Sequence, residues 1–412
     1  MTWTQKQIKV MDLADKLAPK KGLFKLPENI IYLDGNSLGA MPRSAQARVE
    51  SVLKNEWSQG LVRSWNKYGW INLPQKIGDK IANLIGAECG EVVSADSTSI
   101  NVFKVVTAAL QMQKGRNKII SEKSNFPTDL YILQGIENLM VDGAKLVALD
   151  RDKIYDSIDA ETAVVHLTHV HYKTGALFDM DAITKKAHDV GALVVWDLAH
   201  TVGAMPIDLN RAGADFAVGC GYKYLNGGPG APAFLFVAKR HQENVRPSLS
   251  GWMGHEKPFD FSDYYQPARG INRNLCGTPS VIALSAFEEG LNTFDGVDMN
   301  DIRDKSMALG SLFLELVMDQ CGEFGFDLAS PKKAERRGSH ISLTHDHGFK
   351  IMQALIDHGV IGDFRAPNIV RFGFTPLYTS FQNIWDAVEI LANIMDKGLW
   401  KDPKYAMRSK VT

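Results

Sequence analysis

One lysine of the sequence stands in a setting suited to covalent chemistry. Lys223 follows a short, mostly apolar run at residues 215–220 and precedes residues 226–230, which contain three glycines. This pattern predicts a lysine at the end of a buried strand, held between Tyr222 and Tyr224 ahead of a sharp turn. A desolvated amine is a good nucleophile at neutral pH and suits Schiff-base formation. A solvated lysine in a glycine-rich loop fits this segment about equally well.

A second segment ends on a carboxylate. Residues 192–196 are apolar and lead into Asp197, 26 residues before Lys223. A buried carboxylate costs free energy unless a positive group meets it, and the protonated ring nitrogen of pyridoxal phosphate is such a group. Asp197 could instead cap a following helix. The two residues together, each expected at the end of its own strand, favour pyridoxal 5′-phosphate as cofactor.

Composition excludes several classes of protein. The 412 residues carry a net charge of −1 without a concentrated basic block, so neither nucleic acid nor an anionic membrane is expected as the main partner. Four scattered cysteines have no metal-ligand or redox spacing, and we expect core thiols, a reducing compartment and no metal site. No apolar stretch is long enough to cross a bilayer or to form a signal sequence. The sequence predicts a soluble cytoplasmic protein.

The elements that must position these residues alternate between helix and strand from residue 75 onward, which is typical of a mostly parallel α/β sheet. Beyond residue 297 a long helix (299–320) and fewer strands indicate a smaller α+β unit. We predict an N-terminal segment at 1–45 that packs with the small unit, a large cofactor-binding domain at 46–296 and a small domain at 297–412. The predicted strands of the two units are 91–96, 118–122, 145–149, 162–168, 192–197, 215–220, 233–238, 326–329, 340–344 and 369–374.

Polar residues follow several of these strands, at the edge where open α/β sheets bind ligands. Thr98 and Ser99 lie where a helix is expected to begin, so their hydroxyls and the helix N-terminus could bind a phosphate; they fit simple N-capping equally well. Phe126 could stack on a flat ring or belong to the core. Thr168 ends a predicted strand, and its hydroxyl could reach the same edge.

Two further features concern a substrate. Arg371 interrupts an apolar strand of the small unit, where its guanidinium could bind the carboxylate of an amino acid or form a structural salt bridge. Residues 60–70 are aromatic and broken by glycine. They form either an irregular connection packed by Trp65 and Trp70, which we slightly prefer, or a pocket wall for an aromatic substrate.

The chain resembles the kynureninase family of fold-type I pyridoxal-phosphate enzymes, within the aspartate-aminotransferase-like superfamily. No single motif carries this resemblance, but the combination is specific and runs from about residue 25 to the C-terminus. The segments concerned are Tyr32-Leu-Asp-Gly-Asn-Ser-Leu-Gly39, Ser124-Asn-Phe-Pro-Thr-Asp129, Trp196-Asp-Leu-Ala-His200, Gly221-Tyr-Lys-Tyr-Leu-Asn-Gly-Gly-Pro-Gly230, Ser250-Gly-Trp-Met-Gly-His255 and Arg371-Phe-Gly-Phe-Thr-Pro376.

The resemblance implies a role for each site residue. Lys223 would hold the cofactor and later move protons, and Asp197 would pair with its ring nitrogen. The other cofactor-binding residues would be Thr98 and Ser99 with the Tyr222 hydroxyl at the phosphate, Phe126 stacked on the ring, Asp129, Thr168 and His200 around it, and Trp252 and Thr278. Arg371 and Asn36 would bind the substrate, and Trp65, with Thr278, would shape its aniline end. The superfamily also implies a homodimer with active sites at the interface.

The implied reaction is hydrolytic cleavage of the Cβ–Cγ bond of L-kynurenine to anthranilate and L-alanine, in tryptophan catabolism and the kynurenine pathway toward NAD. 3-Hydroxykynurenine is a second candidate substrate, and Tyr222 is the candidate proton donor to Cβ. A pyridoxal-phosphate aminotransferase is the main alternative, and a non-catalytic binding module on this fold is a weaker one. A cysteine desulfurase would need a nucleophilic cysteine in the C-terminal region, and the sequence has none after Cys321.

Overall fold

A seven-stranded sheet forms the centre of the computed structural model, which describes residues 3–407. In chain order its strands are β1 (Val92–Ser94), β2 (Lys118–Glu122), β3 (Lys145–Leu149), β4 (Thr162–Thr168), β5 (Leu193–Asp197), β6 (Phe216–Gly219) and β7 (Phe234–Val237). They lie in the order β1-β7-β6-β5-β4-β2-β3, and β7 runs antiparallel to the other six strands of this sheet. The predicted mostly parallel α/β sheet is confirmed.

Helices cover both faces of this sheet, which is why its central strands are apolar along their whole length. Every residue of β4 to β7 is buried. One face packs against α4 (Thr98–Met112) and α5 (Pro127–Leu139), and the other against α3 (Leu73–Leu84), α6 (Met180–Asp189) and α7 (Val281–Asn292). Before α3 the chain forms α1 (Gln5–Ala14) and α2 (Arg43–Ser51).

The sequence prediction omitted α6. Its buried face consists only of Met180, Ile183, Thr184 and Ala187, and its other positions are mostly charged. These buried positions have the i, i+3, i+4, i+7 spacing of an amphipathic helix, so the sequence contains a helical pattern that the prediction overlooked. After Ser51, the last residue of α2, the chain continues to Gly60 as a π-helix. The short helical turns of an irregular connection follow.

The smaller unit is built on an antiparallel sheet, which within the described residues has four strands. These are β8 (Asp327–Leu328), β9 (His340–Thr344), β10 (Asp363–Arg365) and β11 (Ile369–Gly373), in the order β8-β9-β11-β10. The helices α8 (Met299–Cys321), α9 (Gly348–Asp357) and α10 (Phe381–Asp396) share its core. The prediction missed β10, whose three residues include an aspartate and an arginine and so give no apolar signal.

The N-terminal segment attaches to the small unit through specific contacts. Ile8 and Leu33 lie in the small unit's core, and Asp15 forms an ion pair of 2.7 Å with the buried Lys305. Asp12 accepts hydrogen bonds from the backbone N–H groups of Phe381 and Gln382, at 2.7 and 3.0 Å, and thereby caps α10 from outside the helix. Leu17, Phe24 and Ala40 of the same segment lie instead in the core of the large unit. The assignment of residues 1–45 to the small unit and the limits of the three parts stay predictions.

Two composition-based expectations are refined. Cys220 and Cys321 are buried as expected, but Cys89 is exposed and Cys276 only half-buried, because both lie on loops rather than in the core elements. Between residues 3 and 407 no helix is both long and apolar enough to span a bilayer.

Replacing Asp12 by Ala tests the external cap of α10. The change removes the acceptor of two backbone N–H groups, so we expect a loss of about 1–2 kcal/mol in the free energy of unfolding. Urea denaturation followed by circular dichroism measures it. The exposed Asp319, in α8, is the control, since Asp319→Ala should change stability by less than about 0.5 kcal/mol. Equal effects of the two changes would show that the cap is unimportant.

Candidate active site

A cavity of about 550 Å³ lies at the carboxyl ends of the parallel strands, extending to the loops after β6 and before α7. Open α/β sheets bind ligands at this edge because the loops there are free to carry polar groups. Predicted site residues that line the cavity are Thr98, Ser99, Phe126, Asp129, Thr168, Asp197, His200, Tyr222, Lys223 and Thr278.

Lys223 is held in the wall of this cavity rather than solvated. It is 9% exposed, and its Nζ lies 3.0 Å from Nε2 of His200. The rings of Phe126 and Tyr222 have their centroids 5.7 and 5.9 Å from the same nitrogen. The alternative of a solvated lysine in a loop does not hold in this structure.

The turn after Lys223 fixes its backbone. Asn226, Gly228 and Gly230 adopt positive φ values of 57°, 88° and 70°, which glycine tolerates and asparagine accepts more readily than most residues. From the other side, the loop that contains Gly39 packs so closely that a Cβ at Gly39 would lie 2.4 Å from the carbonyl oxygen of Lys223. The lysine backbone is therefore clamped between two segments.

Two buried carboxyl groups share the cavity floor. Burial raises the pKa of Asp197, and the positive charge of Lys223 opposes this shift. Burial, followed by the charge of Asp197, raises the pKa of Asp129 well above its usual value. Since the two groups are coupled, we infer that Asp197 carries the negative charge and Asp129 the proton.

Neighbouring hydrogen bonds orient both carboxyl groups. Oδ1 of Asp197 accepts from the backbone N–H of Ala199 at 2.7 Å, and the residues after Asp197 form turns, so the alternative role as a helix cap does not apply. The Thr168 hydroxyl lies 3.2 Å from Asp129 Oδ2 and 3.5 Å from Asp197 Oδ2, and it also contacts the side-chain oxygen of Asn125. Asn125 was not among the predicted site residues.

The start of α4 forms one end of the cavity. Ser97 is its N-cap and accepts from the backbone N–H of Ile100 at 3.4 Å. Thr98 and Ser99 therefore need not serve as the cap, and both line the cavity. Ser99 shares a hydrogen bond of 2.7 Å with Thr128, which also lines the cavity but was not predicted. Hydroxyls beside the positive end of a helix dipole are suited to an anion such as phosphate.

Buried histidines in and beside the site are in neutral form. Burial, and then the charge of Lys223, lower the pKa of His200, and burial lowers the pKa of His166 to about 4. His340 of β9 approaches from the small unit, with its ring centroid 5.5 Å from that of His200. Within the described chain, His200 Nδ1 and both ring nitrogens of His340 have no hydrogen-bond partner. His340 was missed because a single histidine in an apolar strand is usually a core residue.

Four predicted residues lie outside the lining of the cavity, as far as the described residues define it: Arg371, Asn36, Trp65 and Trp252. Arg371 is 2% exposed and pairs with Asp363 of β10, so the structural salt bridge considered from the sequence is present. Asn36 lies beside it; with its amide reoriented, its oxygen is 3.0 Å from Nε of Arg371.

The two tryptophans have other neighbours. Trp65 packs edge-on against Trp70, with ring centroids 6.1 Å apart. This contact agrees with the irregular connection that the sequence analysis preferred over a pocket wall. Trp252 is 39% exposed and packs against Phe259 and Phe261 on the surface. In this single chain neither tryptophan reaches the cavity.

Comparison with known proteins decides the family. A kynureninase from Pseudomonas fluorescens is 49% identical over 414 residues, covering 99% of this chain and 100% of that protein. A kynureninase from Burkholderia pseudomallei strain 1106a is 50% identical with the same coverage. The chain belongs to the kynureninase family. The family described as kynureninase C-terminal domain matches residues 302–391, and the DegT/DnrJ/EryC1/StrS aminotransferase family matches residues 60–215.

Solved structures agree on the fold of this kynureninase-family chain. A cysteine desulfurase from Thermococcus onnurineus NA1 has a TM-score of 0.75 at 19% identity and covers 96% of this chain and 99% of its own. A cysteine desulfurase from Escherichia coli has a TM-score of 0.75 at 19% identity and covers 93% and 98%. The predicted fold-type I architecture is confirmed.

The cavity fits pyridoxal phosphate, the cofactor of the family. Asp197 offers a buried carboxylate for a protonated ring nitrogen, and the start of α4 offers hydroxyls and backbone N–H groups for the phosphate. Lys223 supplies the amine, and Phe126 lies on the same wall. Among the described residues, Oδ1 of Asp129 and Nδ1 of His200 have no hydrogen-bond partner. Polar groups of a bound ligand would satisfy them.

Asparagine substitutions test which of the two carboxyl groups is charged. Asp129→Asn imitates a neutral acid, so cofactor affinity should change by less than about threefold. Asp197→Asn removes the charge that meets the ring nitrogen, and affinity should fall by about tenfold or more, which corresponds to ~1.4 kcal/mol. Absorbance titration of the apoprotein with pyridoxal phosphate measures both. A larger loss for Asp129→Asn would reverse the assignment.

Proposed function

We propose that this chain hydrolyses the Cβ–Cγ bond of L-kynurenine to anthranilate and L-alanine, with pyridoxal phosphate as cofactor. The observation that carries the proposal is about 50% identity to kynureninases over nearly the whole chain. The cavity that brings Lys223 and Asp197 together is in keeping with it. The reaction consumes one water, whose hydroxyl ends on the anthranilate carboxyl group and whose hydrogen ends on alanine.

The bound cofactor supplies an electron sink for negative charge that develops at Cα and Cβ of the substrate. In our proposal Asp197 keeps the ring nitrogen protonated, which makes this sink effective. Lys223 would hold the cofactor through its amine and, with that amine free, would remove the Cα proton of the substrate. His200 is placed to receive a hydrogen bond from the free amine, since its Nε2 lies 3.0 Å from Nζ.

Tyr222 is the proposed proton donor to Cβ. The neighbouring Cys220 thiol, followed by burial, raises the pKa of the Tyr222 hydroxyl above its usual value. The phenol therefore stays protonated at neutral pH and can donate a proton where charge develops. Tyr222 adjoins Lys223 in the chain, and both line the cavity.

The remaining residues complete the proposed substrate site. Arg371 would bind the α-carboxylate with Asn36 at its side. Trp65 and Thr278 would shape the aniline end, which for Trp65 requires a rearrangement or a second subunit.

Trp252 would reach the cofactor of a partner subunit. Its exposure beside Phe259 and Phe261 supports a homodimer in which a second copy covers this surface. We also propose a cytoplasmic location and a role in tryptophan catabolism.

A pyridoxal-phosphate aminotransferase would use the same cavity chemistry at Lys223. The full-length relatives do not favour it, and it differs from a hydrolase in a simple requirement, because it needs a 2-oxo acid for turnover. A non-catalytic binding module would need neither a buried lysine nor a facing carboxylate, and the cavity contains both.

The decisive assay supplies purified protein with pyridoxal phosphate and L-kynurenine, and no oxo acid. We expect anthranilate, detected by fluorescence, and L-alanine in equal amounts. 3-Hydroxykynurenine run in parallel ranks the two substrates. Lys223→Ala should bind the cofactor without a covalent bond and lose at least about 10³-fold in turnover. Cofactor binding without anthranilate, or a requirement for a 2-oxo acid, would refute the hydrolase.

Tyr222→Phe tests the proton donor. Loss of a general acid costs about 10²–10⁴ in rate, and the loss should fall on the step after bond cleavage. In a rapid-quench experiment we expect anthranilate to form in a first-turnover burst while alanine release becomes slow. Tyr224→Phe is the matched control, because its hydroxyl donates to the carbonyl of Ser339 and does not line the cavity. An unchanged rate of alanine release would exclude Tyr222 as the donor.

A further inference from the structure

Three charged side chains of the small sheet point to one face. In the antiparallel pairing of β10 with β11, Asp363 lies directly opposite Arg371. Alternate residues of a strand share a face, so Arg365 lies on the same side as Asp363. The sequence predicted only Arg371 as a functional residue, because the strand that carries the other two was missed.

One carboxylate joins the two arginines. Asp363 Oδ1 accepts from Nε of Arg371 at 2.8 Å, and its Oδ2 also contacts Nη2 of Arg371. The same Oδ2 accepts from Nη2 of Arg365 at 2.6 Å. Arg371 and Asp363 are buried, whereas the side chain of Arg365 is 36% exposed. Asp363 therefore occupies one edge of the Arg371 guanidinium and is itself held by Arg365.

The other edge of Arg371 faces neutral groups. Nη1 donates to the carbonyl oxygen of Tyr172 at 2.5 Å, and Nη2 donates to the Ser37 hydroxyl at 3.1 Å. Tyr172 lines the cavity and packs edge-on against Phe126, with ring centroids 5.1 Å apart. A carboxylate forms stronger hydrogen bonds to guanidinium than a carbonyl or a hydroxyl does. A substrate carboxylate that reached this edge would bind more strongly than these neutral acceptors, while Asp363 kept the opposite edge.

The charges of Arg371, Arg365 and Asp363 allow this cluster to bind an anion. The charges of Arg371 and Arg365 lower the pKa of Asp363 although burial opposes them, so one carboxylate faces two guanidinium groups. Burial and the charge of Asp363 raise the pKa of the nearby Asp34. Nε of Arg365 is also buried, and among the described residues it has no hydrogen-bond partner.

We propose that Arg365 is a positioning residue for the substrate's α-carboxylate: it anchors Asp363, and its charge offsets the second carboxylate that Arg371 takes up. The inference rests on the proposed function, in which Arg371 binds an amino acid. The site then contains two guanidinium groups and two carboxylates, one of them from the ligand. It selects ligands that carry a carboxylate beside the amine.

The test measures coupling between Arg365 and the ligand's carboxylate. L-Alanine and L-alaninamide, which differ in that group, are titrated into the holoenzyme, and the cofactor absorbance reports binding. We expect Arg365→Gln to reduce the preference for alanine over alaninamide by about tenfold and to leave alaninamide affinity within about threefold. Arg365→Lys should restore part of the preference, because it keeps the charge. For kynurenine, Arg365→Gln should raise KM by about tenfold with little change in kcat.

A structural role would give a different result. If Arg365→Gln weakened both ligands equally, or changed neither, the proposal would be refuted. Arg336→Gln, at an exposed arginine of the same unit, is the control and should leave the preference unchanged. A wild-type enzyme that neither binds alanine nor cleaves kynurenine would refute the proposed function itself, which separates the two failures.

Discussion

The buried charge at the carboxyl ends of β5 and β6 is the constraint on which the site depends. Asp197 ends a strand with no solvent on either face, and Lys223 stands in the turn beyond the neighbouring strand. Neither charge is stable there alone, because transfer from water into the interior costs several kcal/mol per ion. The two opposite charges partly compensate each other, and both groups line the same cavity, where each can meet a further partner. A cofactor with a cationic ring nitrogen and an aldehyde that binds the amine meets both needs.

The small unit approaches the cavity through its sheet, although the residues that line the cavity all belong to the large unit. β9 brings His340 to the ring of His200, and β11 brings Arg371 to the carbonyl of Tyr172. The N-terminal turn around Gly39 joins the two halves, since its N–H donates to the carbonyl of Tyr222 at 2.8 Å. In the proposed function, substrate recognition by Arg371 and cofactor chemistry at Lys223 would belong to different units, which short buried contacts hold together.

Much of this arrangement follows from local sequence. The strands at 118–122, 145–149, 162–168 and 340–344 agree with the structure residue for residue, because each contains several aliphatic or β-branched residues. The cavity residues at strand ends were also found, since polar residues after such runs are conspicuous. What escaped prediction depends on long-range pairing. β10 is short and polar, and the role of Asp363 becomes visible only when the sheet places it opposite Arg371. No spacing in the sequence reveals that contact, and the kynurenine assignment itself needed the family resemblance.

The central claim is that Asp197 holds the cofactor's ring nitrogen in its protonated form. Solid-state ¹⁵N NMR of the holoenzyme, reconstituted with pyridoxal phosphate labelled at that nitrogen, measures its protonation directly. The account predicts a protonated nitrogen at neutral pH in the native protein and an unprotonated one in Asp197→Asn. A neutral nitrogen in the native protein, or the same chemical shift in both proteins, would contradict it.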